Sequence, residues 1–318
     1  MREGGAVCVE AYARLHFGVL DLRGSSGRWF GGIGAAASAP SLRLSASRAD
    51  VLTVEGEDAD RAAAFARQFL DHHRISAGAF VQVHRSLPSH AGLGSGTQLA
   101  LSIARALAEL YDLDAHPRAL ARATGRAQRS AIGTWTFAGG GLVVEGGRRA
   151  EGDECGPLIA RLPFPETWRC VVVVPDGPPG ISGADEADAF ARLPKPSEQD
   201  VEHVSHQVLM VLLPALADGD LDQFGRALTE IQEVTGRWFA SAQGGTFAAG
   251  PTRALVQRLA EWGAAGVGQS SWGPAAYGIV DGADAAAHLV ERVRTALGSG
   301  GSVFEGPFRS EGARVWRP

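Results

Sequence analysis

The chain of 318 residues contains a single lysine, Lys195, among 30 basic residues. Cationic work therefore falls to arginine, whose planar fork suits phosphate and carboxylate. Cysteine is scarce and odd in number. Cys8, Cys155 and Cys170 are scattered without metal-ligand spacing, which excludes a disulfide framework and fits reduced thiols in a cytoplasmic protein. Long apolar runs are missing too. The longest, Val208 to Ala217, contains Pro214 and is too short to span a bilayer, so no membrane partner is expected. Met1 to Ala6 carries a charged pair and two glycines with no apolar stretch behind them, unlike a signal peptide. There is no excess of positive charge. A net charge of −5 excludes a general nucleic-acid binder, although a local cationic pocket remains compatible with it.

Glycine, by contrast, is plentiful, and its most informative cluster is Gly92, Leu93, Gly94, Ser95, Gly96, Thr97 and Gln98. The alternating run Phe80 to Arg85 precedes it and predicts a strand. Leu99, Ile103, Leu107 and Leu110 follow at the spacing of a helix face. Thr97 is expected as the helix N-cap. The three glycines tolerate positive φ and keep side chains clear. Free amides with a helix dipole behind them form a phosphate site; a tight turn feeding a helix is the plainer alternative. The run is not the dinucleotide fingerprint, and no Lys-Ser or Lys-Thr follows it as in a Walker loop.

With 45% hydrophobic and 20% charged residues, the chain can bury a full core in one large or two ordinary domains. Val7 to Leu15 and Phe17 to Leu22 read as paired strands, with shorter ones at Leu42 to Leu44 and Val51 to Val54. Helices are expected over Ala59 to His72, up to Tyr111, and from Pro117, a good first helical residue. Strands follow at Leu142 to Glu145 and Arg169 to Val174. Gly, Pro and Ser cluster between Gly177 and Gly183, predicting a boundary near residues 176–185, hence domains 1–180 and 181–318. Two strong helices come next, one through Val201 to Ala215 and one through Leu221 to Val234. A helix near Thr252 to Trp262, a strand at Tyr277 to Val280, a helix capped by Asp284 and a strand near Val303 close the chain. Strands and helices mix in both halves, so the fold class is α+β.

Three constellations carry chemistry. Period 2 places Tyr12, Arg14 and His16 on one strand face, with Gly31, Gly32 and Gly34 allowing close backbone approach nearby. Arg122, Arg126 and Arg129 are spaced for one helical face. No carboxylate lies between Asp114 and Glu145, so unpaired guanidinium groups point to a sugar phosphate or a carboxylate, with Ser130 beside them. The stretch from Gly266 to Gly278 reads as a second backbone cradle, with Gln269 and Ser270 as donors. His203 and His206, three apart on a helix, lack the metalloprotease pattern and read as core or surface residues.

The Pro88 to Gly96 run resembles the central phosphate loop of the galactokinase, homoserine kinase, mevalonate kinase and phosphomevalonate kinase (GHMP) superfamily, and Gly266 to Gly278 resembles its C-terminal glycine motif. Within it, Arg14 to Gly18, Gly92 to Gln98, Arg129 to Thr134, Gly140 to Gly146, Leu213 to Leu216 and Gly268 to Pro274 are similar to the β-ribofuranosylaminobenzene 5′-phosphate synthase family. The resemblance implies a GHMP-kinase-like fold, with a ribosomal-protein-S5-like N-terminal domain and a ferredoxin-like C-terminal domain. Kinases of the superfamily carry an aspartate base where this chain has Gly133, and a second loop serine where it has Gly96. Losing a positioned base removes a factor of roughly 10²–10⁴, which counts against the alternative of an ATP-dependent small-molecule kinase.

The implied reaction joins 4-aminobenzoate to phosphoribosyl pyrophosphate, releasing CO2 and pyrophosphate, in methanopterin biosynthesis. Expected roles follow from it. Gly92, Leu93, Gly94, Ser95, Gly96, Thr97 and Gln98 hold pyrophosphate. Arg126 and Arg129, with Ser130, hold the ribose phosphate or the benzoate carboxylate. Arg14 and His16 line the aminobenzoate side. Gln269, Ser270 and Ser271 close the site, with Trp272 as an aromatic wall. Mg²⁺ is the expected cofactor, bound with the pyrophosphate, and Asp21, Glu145 and Glu186 are the candidate carboxylates for it. A homodimer is the expected assembly.

Overall fold

A computed structural model describes residues 5–149, 155–181 and 183–318. Met1 to Gly4, on which part of the signal-peptide reading rests, lie outside them. The chain opens with β1 (Val7–Asp21) and β2 (Arg28–Ala49), then β3 (Thr53–Gly56), α1 (Ala59–His72), β4 (Gly78–Arg85), α2 (Ser95–Tyr111), α3 (Pro117–Ala123) and α4 (Ile132–Gly139). Next come β5 (Leu142–Glu145), β6 (Arg148–Arg149), β7 (Leu158–Leu162), β8 (Trp168–Pro175), α5 (Gly183–Arg192) and α6 (Glu198–His206). A π-helical turn at Gln207–Leu212 joins α6 to α7 (Leu213–Asp218), followed by α8 (Leu221–Gln243) and α9 (Pro251–Glu261). The last elements are β9 (Gly266–Gln269), β10 (Ala276–Asp281), α10 (Ala283–Leu297), β11 (Gly301–Pro307) and β12 (Arg314–Trp316).

Two sheets result. The first runs β12-β1-β2-β4-β3, and the long β2 carries a second set of neighbours: Gly32 to Ala35 pair with β5, while Arg43 to Ala49 pair with β4. The second is β11-β8-β10-β9, antiparallel throughout. The architecture is α+β, as expected. β8 lies at the centre of the second sheet, so the glycine- and proline-rich stretch after it is a loop leading out of that sheet.

Several boundaries depart from the sequence reading. Val7 to Leu15 and Phe17 to Leu22 are one strand, not a pair. β1 runs unbroken through His16, pairing with β2 across register shifts between Tyr12 and Arg14 and between His16 and Gly18. Those bulges re-aim side chains without ending the strand. Leu42 to Leu44 is likewise the middle of β2. The helix from Pro117 ends at Ala123 with Thr124 as C-cap, so Arg126 and Arg129 sit in the following loop rather than on one helical face with Arg122. Gly282, not Asp284, caps α10.

Helix α2 is the pillar of the first half. Beyond Leu99, Ile103, Leu107 and Leu110 it buries Ala100, Leu101, Ala104 and Ala108, leaving Arg105 and Glu109 partly exposed as an ion pair. Its small residues let β1, α1 and α4 close around it. Phe17 of β1 meets Tyr277 of β10 at 5.1 Å between ring centroids, so the core continues from one sheet into the other. Among the described residues no helix is long and apolar enough to cross a membrane.

Candidate functional site

The glycine turn between β4 and α2 is held from behind by its carbonyl groups. The Gly180 amide donates to the His90 carbonyl at 2.8 Å and the Ala275 amide to that of Ala91 at 3.1 Å. Ser270 Oγ donates to the Gly92 carbonyl at 2.7 Å, and the Arg14 amide to that of Leu93 at 3.0 Å. The oxygens face the protein, which turns the amides toward the open side. Gly92 has φ +80° and Gly94 φ +74°, a region L side chains avoid. A Cβ at Gly92 would collide with the Ser270 carbonyl. Gly94, not Thr97, caps α2. Thr97 and Gln98 lie in the first turn, their amides bonded back to the Gly94 carbonyl at 3.0 and 2.9 Å. The Ser95 and Gly96 amides have no carbonyl one turn back within the helix.

Gly96 serves space rather than φ, because it lies within the helix. A Cβ there would lie 3.0 Å from Arg61 Nη2 and 3.5 Å from Arg126 Nη2. Arg126 lies over the Phe65 ring at 4.6 Å, and its buried Nε has no hydrogen-bond partner among the described residues. Burial, and then the charge of Arg61, pull its pKa down. Arg61 escaped the sequence reading because it belongs to α1, far from the loop. Its signal was a cation in the first turn of a helix, where the dipole favours acids.

Arg126 also borders a cavity of about 220 Å³ that gathers Arg14, His16, Thr97, Arg129, Ser130, Gln269, Ser271 and Trp272. Four expected residues stand behind it. Gln98 is buried, with Nε2 donating to the Gly133 carbonyl at 3.0 Å. Ser270 is a bridge, accepting from the His16 amide at 3.0 Å while donating to Gly92. Gly92 and Leu93 shape the loop. Arg122 is exposed and takes no part in the lining. Gln269 borders the cavity, yet its amide is committed to the Ala248 amide, the Gln243 side chain and the Ser271 carbonyl at 2.6, 3.0 and 2.9 Å.

Arg129 is not unpaired. Glu186 of α5 reaches it at 2.8 Å, a partner 57 residues later that no local window reveals. Glu186 also accepts from the Trp272 indole at 3.0 Å. Aromatic rings missed in the sequence complete the wall. Phe190 meets Phe30, Phe239 and Trp272 edge-on at 5.5, 5.8 and 5.5 Å. Gln232, Thr235 and Gly236 of α8, the helix that also carries Phe239, line the cavity as well.

The expected metal carboxylates do not converge. Asp21 accepts from the Arg23 and Gly24 amides at 2.6 and 3.1 Å in its own turn. Glu145 is buried and accepts from the Gly147 and Ala131 amides at 2.7 and 3.4 Å. Only Glu186 borders the cavity. Among the described residues no group of three or more histidine, cysteine, aspartate or glutamate side chains comes together, so the three carboxylates do not form an all-protein Mg²⁺ cage, and Glu186 is the one of them placed to stand beside a phosphate-bound ion.

His16 faces Ser130 Oγ at 3.4 Å through Nε2. Burial, then the neighbouring Arg14 charge, push its pKa down from 6.5 to about 3, so the imidazole is neutral at pH 7. Burial lowers Arg14 to about 10, opposed by Glu186, and it stays charged. Because the folded value of His16 lies below the unfolded one, its contribution to stability is complete above pH 6.5 and is lost toward pH 3, by up to about 5 kcal/mol. Glu145, raised by burial from 4.5 to about 7, acts oppositely, its contribution being full below pH 4.5 and lost as pH rises through 7. His16→Gln is therefore expected to flatten the fall in melting temperature between pH 6.5 and 4. An unchanged acid limb would contradict the buried neutral state.

Comparisons with known proteins bear on the family and the fold. The family described as GHMP kinases N terminal domain matches residues 60–140 and GHMP kinases C terminal matches 212–300. A protein named β-ribofuranosylphenol 5′-phosphate synthase from Archaeoglobus fulgidus is 36% identical over 286 residues, covering 85% of this chain and 86% of that protein. One of the same name from Methanothermobacter thermautotrophicus is 32% identical, covering 85% and 87%. The crystal structure of L. major mevalonate kinase in complex with R-mevalonate superposes with a TM-score of 0.70 at 17% identity, covering 95% of this chain and 96% of that one, a likeness of fold alone.

Proposed function

We propose that this chain, which belongs to the β-ribofuranosylphenol 5′-phosphate synthase family within the GHMP kinases, joins phosphoribosyl pyrophosphate to 4-aminobenzoate and releases CO2 and pyrophosphate. The observation that carries the reading is one cavity in which guanidinium groups beside the α2 N-terminus adjoin an aromatic wall. Such a cavity suits a ligand pair with anionic ends and a flat ring.

The ring carbon bearing the carboxylate bonds to the anomeric carbon of the ribose. The bond from that carbon to the pyrophosphate oxygen breaks, and its electron pair leaves with pyrophosphate. The bond from ring to carboxylate then breaks, its pair restores aromaticity, and CO2 departs. No proton has to be taken. The protein orients two substrates and stabilises departing negative charge. Loop amides and arginines act on the anions, while Phe190, Phe239 and Trp272 flank the ring. Neutral His16 adds no charge to the aminobenzoate side.

Gly133 carries no base, and a Cβ there would lie 2.9 Å from Thr97 Cγ2, so a side chain at this place requires Thr97 to move. That supports a synthase over a phosphoryl transfer that needs an aspartate at this place. Mg²⁺ would belong to the donor's pyrophosphate, whose charge it would offset.

The relatives' name supports a second acceptor, 4-hydroxybenzoate, whose product is a phenol. Either para substituent feeds electrons to the attacking carbon. Pyrophosphate release measured with 4-aminobenzoate, 4-hydroxybenzoate and unsubstituted benzoate tests this. Turnover is expected with a para donor and not with benzoate. Equal rates for all three would contradict attack by the ring.

A further inference from the structure

We propose that Arg61 and Arg126 form a diphosphate clamp at the mouth of the glycine loop, and that Arg14 and Arg129 serve the less charged anions. The assignment rests on the synthase reading only for the source of the diphosphate.

Arg61 is held as half of a fork. Its Nη1 donates to Asp58 Oδ2 at 3.1 Å and to Ser89 Oγ at 2.7 Å, and Asp58 is itself fixed by the Ser86 hydroxyl at 3.1 Å. Nη2 is thereby turned toward Gly96. From the other side Arg126, backed by the Phe65 ring, brings its own Nη2 to the same place. Two guanidinium groups thus flank a space that a single methyl group would fill. The first-turn amides of α2 open beside it, and their dipole also favours an anion.

Like charges brought this close repel one another. Asp58 lies against the far nitrogen of Arg61, so it does not sit between the two. A ligand of several negative charges relieves that repulsion and takes forked hydrogen bonds from both. A single carboxylate neutralises only part of it. The other pair differs. Arg129 already has the Glu186 carboxylate at 2.8 Å, and Arg14 is drawn on by the same carboxylate. Each pair of guanidinium groups has one carboxylate, but Glu186 lines the cavity itself whereas Asp58, ion-paired to the far side of Arg61, does not, so a highly charged anion is disfavoured beside Glu186 and that end suits the benzoate carboxylate or the single phosphate of the ribose. Pyrophosphate at the loop and the ring among the aromatic side chains then place the anomeric carbon between them, with Arg126 bordering both spaces.

Calorimetric titration of the full chain with inorganic pyrophosphate and Mg²⁺ tests the clamp. Arg61→Gln is expected to weaken pyrophosphate binding roughly 10–100-fold, the loss of hydrogen bonds to a charged group, and to leave 4-aminobenzoate binding within twofold. Arg61→Lys recovers only part, since it restores the charge without the fork. Gly96→Ala, which fills the space and alters no charge, is expected to weaken pyrophosphate as well; it decides the matter if Arg61→Gln does not fold. Arg129→Gln is expected to weaken 4-aminobenzoate and leave pyrophosphate within threefold. Pyrophosphate binding that survives Arg61→Gln and Gly96→Ala, or that fails in the wild type, would overturn the clamp. Binding that depends on Arg61 in a protein releasing no CO2 would uphold the clamp and remove the synthase reading.

Discussion

Arg129→Ala is expected to lower turnover by roughly 10²–10³-fold, the cost of removing one fixed donor to a developing or bound anion, while the protein stays folded. Its guanidinium is one-third exposed and makes one ion pair, with Glu186. Pairs at that exposure contribute about 0–1 kcal/mol, so the melting temperature should move by only a few degrees. Function is affected more strongly because removal uncovers Glu186. That carboxylate keeps the Trp272 indole as a partner and then puts uncompensated negative charge into the cavity that must hold anionic substrates. The double variant Arg129→Ala with Glu186→Gln should regain substrate affinity without regaining full turnover. Steady-state CO2 release and thermal melting on the same preparations check both statements. Turnover within threefold of wild type would remove Arg129 from the site.

Gly92→Ala is expected to cost about 2–4 kcal/mol of stability, as substitutions at strained backbone positions do, and to reduce turnover at least 10²-fold. Two physical costs coincide at this residue. Its φ of +80° penalises any Cβ, and that Cβ points at the Ser270 carbonyl. Relieving the collision separates the loop from the turn after β9. The bond from Ser270 Oγ to the Gly92 carbonyl and the bond from the Ala275 amide to the Ala91 carbonyl are both exposed to that movement. Ser270 also holds the His16 amide, so the disturbance reaches the strand that carries Arg14. Gly96→Ala offers the contrast, because alanine is at ease inside a helix; it should leave stability nearly unchanged. Chemical denaturation of the two variants side by side is the measurement. Equal stability of Gly92→Ala and wild type would show that the loop does not need this approach.

Much of this arrangement was readable in the sequence, and the reasons for the rest are specific. The bounds of α1 and the end of α2 at Tyr111 followed from apolar spacing, whereas α2 starts two residues before the expected cap, at Ser95. The glycine turn was readable because glycine has few reasons to cluster before a helix. β1 was divided at His16 because a bulged strand breaks the alternation that identifies a strand, even though the backbone pairing continues. The three arginines were placed on one helix because spacing alone does not show that α3 stops at Ala123; Gly125 and the left-handed Ala127 mark that exit only in three dimensions. Partners remote in sequence were out of reach. Glu186 meets Arg129, and Arg61 meets Arg126, only after α5 and α1 pack beside the loop. Asp21 and Glu145 as metal candidates failed for a different, local reason. Asp21 and Glu145 are acceptors for nearby backbone amides, a use that composition cannot distinguish from a metal ligand.

Carboxyl-labelled 4-aminobenzoate incubated with the purified chain, phosphoribosyl pyrophosphate and Mg²⁺ tests the central claim most directly. The account predicts label released as CO2, one molecule for each pyrophosphate formed, with no requirement for ATP. Label retained on the ring while ATP is consumed and an alcohol is phosphorylated would contradict it.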